Sequence, residues 1–60
     1  MFYLYSPTRH AWLENFNSLT GEVAWTTVYD NAMLIMNYHD ACQLVSMARL
    51  AGQVFVMEQY

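Results

Sequence analysis

His39 and Cys42 stand three positions apart, a spacing at which two side chains on one helix can share a metal ion. Only Asp40 and the distant His10 could add ligands. Zinc wants four ligands, typically in paired motifs, and this chain has no such pairing. A surface histidine beside a half-buried thiol is the commoner meaning of the pair, so no metal is expected. Cys42 with His10 or His39 is also the raw material of a nucleophile and its base. Nothing flanking Cys42 resembles a nucleophile motif, and no third, orienting group is evident. The carboxylates Glu14, Glu22, Asp30, Asp40 and Glu58 are scattered singly, whereas acid–base catalysis needs two that converge in a cleft. Gly21 and Gly52 are isolated and form no phosphate-cradling loop. The expectation is a chain without catalytic activity or cofactor.

Composition points the same way. Sixty residues bury a single thin core and leave little to wall off a pocket. Hydrophobic residues make up 57% and charged residues 12%, which excludes a disordered chain. Arg9 and Arg49 are the only Lys or Arg residues against five acids, for a net charge of −3. Direct nucleic-acid binding is therefore not expected. One cysteine excludes an internal disulfide and suggests a reducing, cytoplasmic setting. The start of the chain lacks a basic segment before its apolar residues and does not read as a signal peptide. The longest apolar run, Ala32 to Met36, is far below the roughly 20 residues of a membrane span.

The elements that must position these residues follow from periodicity and turn chemistry. Phe2 to Ser6 and the alternating His10 to Phe16 form a hairpin about Ser6-Pro7-Thr8-Arg9. In the second strand Ala11, Leu13 and Asn15 share one face, and Trp12, Glu14 and Phe16 the other. Asn17 to Glu22 is rich in turn formers, and Val23 to Val28 reads as a third strand. Asp30-Asn31 breaks it, by a turn or one short helical turn. Ala32 to Met36 has a helix-like composition, but five residues between breakers suit a strand. Asn37 and Asp40 form a capping pair for a helix whose apolar side is Ala41, Leu44, Val45, Ala48 and Ala51, with Gly52 as its C′ residue. Gln53 to Glu58 alternates as a last strand. The predicted fold is one α+β domain over residues 1–60: a small, mostly antiparallel sheet of four or five strands with one helix on one face.

One helix cannot cover both faces of that sheet. If Leu4, Val54 and Val56 face the helix, then Tyr3, Tyr5, Phe55 and Met57 face away, and Trp12 or Trp25 joins them. Tyr, Trp and Met are enriched at protein interfaces, and exposed apolar patches of this size usually mark one. The expected contact residues are therefore Tyr3, Tyr5, Trp12, Phe55 and Met57, with Glu14, Glu22 and Asp30 as acidic contacts to a basic partner.

From Trp25 onward the chain resembles many very small phage- and prophage-encoded proteins. The resemblance rests on Trp25-Thr26, Asp30-Asn31-Ala32, Asn37-Tyr38-His39-Asp40-Ala41 and Gly52-Gln53-Val54, in that order. It covers about 36 residues and consists of structural residues, so it carries over no site. Such proteins commonly inhibit bacterial defence, anti-CRISPR proteins among them, by occluding an effector subunit where it would meet nucleic acid. The resemblance implies a host defence subunit as partner and the host bacterial cytoplasm as location. The alternative is a self-associating accessory protein whose aromatic face is consumed by a homodimer.

Overall fold

Alternation of side chains along the strands sets the layers. The computed structural model describes residues 1–59. β1 (Phe2–Ser6) and β2 (Ala11–Phe16) form the predicted hairpin, closed by the pair Ser6 and Ala11. His10 belongs to the turn rather than the strand, because its φ is +52°. Histidine tolerates that left-handed conformation better than most residues. Ser6 is fully buried, and its hydroxyl accepts from the Arg9 backbone N–H and guanidinium, both at 3.3 Å.

β3 (Val23–Thr26) pairs antiparallel with β2 and stops two residues short of the predicted Val28. The Thr26 hydroxyl accepts from the Val28 N–H at 3.0 Å, a turn that ends the strand. A short 3₁₀ turn, Tyr29–Asn31, follows where the sequence shows its breaker. The β2–β3 ladder shifts register between Leu13 and Asn15, so Glu14 sits in a bulge. That extra residue overturns the simple alternation of β2. Asn15 now pairs with exposed Ala24, and Phe16 pairs with Val23, which packs against the core.

Ala32 to Met36 is not a strand. It contributes one isolated bridge, in which Phe2 and Ile35 exchange two backbone bonds of 2.7 Å. The Met33 N–H also donates to the Leu13 carbonyl at 2.9 Å. The segment thus bonds to both strands of the first hairpin, whose own ladder holds only the pairs Tyr5–Trp12 and Ser6–Ala11. Its apolar residues drive burial of Ile35 without a run of pairs long enough for a strand.

α1 (Tyr38–Met47) starts as predicted, with the Asn37 side chain accepting from the Asp40 N–H at 2.8 Å. It ends earlier than predicted. Ala48 is the C-cap, and Arg49, not Gly52, takes the left-handed C′ position at φ +57°. The Leu50 N–H reaches back to the Val45 carbonyl and the Arg49 N–H to Ser46, the bonding of a Schellman motif. Leu50 is buried as the motif's apolar anchor. Gly52, at φ +78°, serves the next turn, closed by the Gln53 N–H on the Leu50 carbonyl.

β4 (Phe55–Glu58) returns antiparallel to β1. The sheet order is β3-β2-β1-β4, and α1 packs on one face, so the domain is α+β with four strands. The core is Leu4, Leu13, Ile35 and Ala41, ringed by half-buried Phe2, Trp25, Leu44 and Val56, among others. No helix among the described residues is long and apolar enough to cross a membrane.

Candidate protein-binding surface

Leu4 and Val56 pair across β1 and β4 and both pack into the core. Their neighbours Tyr3, Tyr5, Phe55 and Met57 therefore stand on the opposite face, paired Tyr3 with Met57 and Tyr5 with Phe55. Trp12 pairs with Tyr5 and joins that face. Trp25 does not. It pairs with Leu13 and packs on the helix side, with the Arg9 guanidinium carbon 4.5 Å from its ring centroid. Arg9, one of two cations in the chain, is thus engaged over an aromatic ring.

The five expected contact residues lie on one sheet face, opposite the helix. They differ in exposure. Tyr3, Tyr5 and Trp12 are half-buried, while Phe55 is 59% and Met57 41% exposed. The difference has a cause that the sequence did not disclose. Tyr29, from the 3₁₀ turn, packs edge-on against Tyr3, with ring centroids 5.3 Å apart. It stands near-perpendicular to Trp12 as well, and Trp12 in turn lies 5.4 Å from Tyr5. These four rings cover one another, whereas the β4 side of the face is bare. A tyrosine directly before a chain breaker was the available signal.

The acidic residues are exposed but dispersed. Glu14 occupies the bulge within β2. Glu22 precedes β3, and Asp30 lies in the 3₁₀ turn past its other end. The face itself is apolar, and the acids flank its β2–β3 side.

The residues weighed for chemistry do not converge. His39, Asp40 and Cys42 are exposed on α1, and His10 sits in the β1–β2 turn. Cys42 is exposed rather than half-buried. No group of three or more His, Cys, Asp or Glu placed to hold a metal occurs among the described residues. Cys42 does perturb one neighbour. A hydrogen bond with it, then its charge, and last a little desolvation raise the Tyr38 phenol above its ordinary pKa of 10.0.

A second apolar surface lies beside Ala32 to Met36, where the sequence predicts a strand. Between that segment and α1 runs an open groove of about 320 Å³, lined by Met33, Leu34, Ile35, Leu44 and Met47 with Asp40 and Gln43 at its rim. No protein-family model, curated protein or solved structure matches this chain.

Proposed function

We propose that this chain is a binding protein whose helix-free sheet face docks on another protein. The specific form we favour is a phage-encoded anti-CRISPR that occludes the nucleic-acid-binding surface of a CRISPR effector in the host bacterial cytoplasm. The observation that carries the binding reading is the placement of Tyr3, Tyr5, Trp12, Phe55 and Met57 on one face with Phe55 and Met57 left exposed. Aromatic and Met side chains form the desolvated centre of protein interfaces, and exposed acids suit a basic rim on the partner. Glu14, Glu22 and Asp30 supply such acids. The choice of a defence complex rests on the resemblance to small phage proteins and on the charge balance of two cations against five acids.

The test is an interference assay. The chain is expressed in bacteria carrying single, defined CRISPR types, and phage plating is scored with and without it. The expected result is restored plating in one type, lost in Tyr5→Asp and Met57→Asp variants that remain folded. Unimpaired interference in every type, with folded protein present, would sink the anti-CRISPR reading. An inhibitor unaffected by both substitutions would sink the choice of face.

A further inference from the structure

β4 is an outer strand, with β1 on its inner side. The phase of the ladder shows which of its backbone groups have no strand partner among the described residues. Phe2 spends its N–H and C=O on Ile35, so both point away from β4. Backbone groups alternate sides along a strand. Tyr3 and Tyr5 therefore point toward β4 and bond their partners Met57 and Phe55. The Gln59 N–H donating to the Met1 carbonyl at 2.8 Å has the same phase. Val56 and Glu58, and Val54 just ahead of the strand, consequently turn their N–H and C=O groups to the open edge.

Native sheets blunt such edges with Pro, Lys, bulges or inward-pointing charge. β4 has no Pro, Lys or bulge, and its one charge, Glu58, stands exposed at the last position of the strand, on the helix side. Its ladder with β1 runs through four pairs without irregularity, and the chain has no Lys and one Pro, at position 7. The side chains along its rim on the open face are exposed Phe55 and Met57. The opposite edge, β3, is guarded: a bulge lies beside it and the 3₁₀ turn follows it.

We infer that a second copy of this chain adds to β4, antiparallel about a two-fold axis through Val56, to make one eight-stranded sheet. Four features select this register. Residues directly opposite must share a face, which restricts the pairing to alternate registers. A two-fold at Val56 joins outward-pointing groups only: Val56 to Val56 of the second copy, and Val54 to its Glu58, on the order of six backbone bonds. It also sets Phe55 against Met57 of the second copy twice, at non-hydrogen-bonded positions where side chains come closest, a favourable sulfur–ring contact. The two Glu58 carboxylates fall four residue positions apart, about 13 Å along the strands, so like charges do not oppose. A row Trp12–Tyr5–Phe55 would then continue through Met57 and Tyr3 of the second copy. The contact uses the strand edge and packs Phe55 and Met57 side by side with their counterparts, leaving Tyr3, Tyr5 and Trp12 of the open face uncovered, so it stands whether or not that face binds another protein.

Sedimentation equilibrium from low micromolar to millimolar protein tests the association, and Glu58→Pro tests its location. Proline at 58 removes an outward N–H and no bond to β1, a placement edge strands accept. The expected result is a reversible dimer whose dissociation constant rises about tenfold or more in Glu58→Pro. If that variant fails to fold, a disulfide decides. In a Cys42→Ser background, a Phe55→Cys chain mixed with a Met57→Cys chain should cross-link to each other far faster than either does to itself. A monomer at every concentration, a folded Glu58→Pro variant that dimerises undiminished, or preferential Phe55→Cys self-linkage would each overturn the proposal.

Discussion

Tyr29 stands edge-on to Trp12 across the open face of the sheet, with ring centroids 5.5 Å apart and planes at 71°. The contact brings a residue beyond the end of β3 back over the centre of the sheet. With Tyr3 and Tyr5 it forms a chain of four rings on the face that α1 does not reach. The open face is therefore two surfaces. One side is covered in part by rings that stabilise each other, and the other, on β4, offers the more exposed Phe55 and Met57 to a partner.

Removing the Tyr29 ring should cost stability although the residue is 40% exposed. Each edge-to-face pair contributes about 0.5–1.5 kcal/mol beyond burial. Tyr29→Ala is expected to lose about 1–3 kcal/mol in urea unfolding, a large share of what a domain of this size holds. Tyr29→Phe keeps the ring and should stay within about 0.5 kcal/mol of the parent. Equal losses in both would show that the hydroxyl, not the ring, carries the effect.

The Asn37 cap is a second test, independent of the open face. Its side chain accepts from the Asp40 N–H at 2.8 Å and donates to the Asp40 carboxylate at 3.2 Å. A helix of ten residues depends heavily on its ends. Asn37→Ala should destabilise by about 1 kcal/mol, read as a lower urea midpoint with unchanged slope. Asn37→Ser should recover most of that loss, because a hydroxyl can accept the same N–H.

Local chemistry made these features legible. The cap is written within four residues, and the sheet faces follow from alternation at Tyr3, Leu4 and Tyr5. What the sequence hid was non-local. The bulge at Glu14 moves Asn15 and Phe16 to new partners, and no residue type in β2 announces it. Ala32 to Met36 has the length of a strand between breakers, yet the first hairpin uses it at Phe2 and Leu13 only. Tyr29 found its place through three-dimensional proximity to Tyr3 and Trp12. The helix end differs from the sequence expectation for another reason. Two left-handed residues follow α1, and glycine marks only the second.

Arg49 holds φ +57° at the C′ position, where a side chain costs energy that glycine avoids. Arg49→Gly should raise stability by about 0.5–1 kcal/mol, the relief of strain exceeding the added freedom of the unfolded chain. Gly52→Ala should lower it by about 1 kcal/mol. Nothing lies within 4 Å of a Cβ at position 52, so the loss would come from its φ of +78° and not from a clash. Thermal melts of the two variants should shift in opposite directions. A destabilised Arg49→Gly would mean that the arginine side chain contributes more than its backbone conformation costs.

Tyr38 and Cys42 give a pH-dependent prediction. They sit one turn apart on α1, and hydrogen bonding to Cys42, followed by its charge, holds the Tyr38 phenol above 10.0. The folded chain therefore keeps this proton to higher pH than the unfolded chain does. The stabilising contribution is complete below the ordinary phenol pKa and disappears as pH rises through the folded value. Tyr38 is more than half exposed, so water screens the effect on stability, and the titration itself is the sharper readout. With ¹³C-labelled tyrosine, the Tyr38 ring signal should titrate above 10.0 in the parent and return toward it in Cys42→Ala. A Tyr38 titration unmoved by that substitution would show that Cys42 is not the cause.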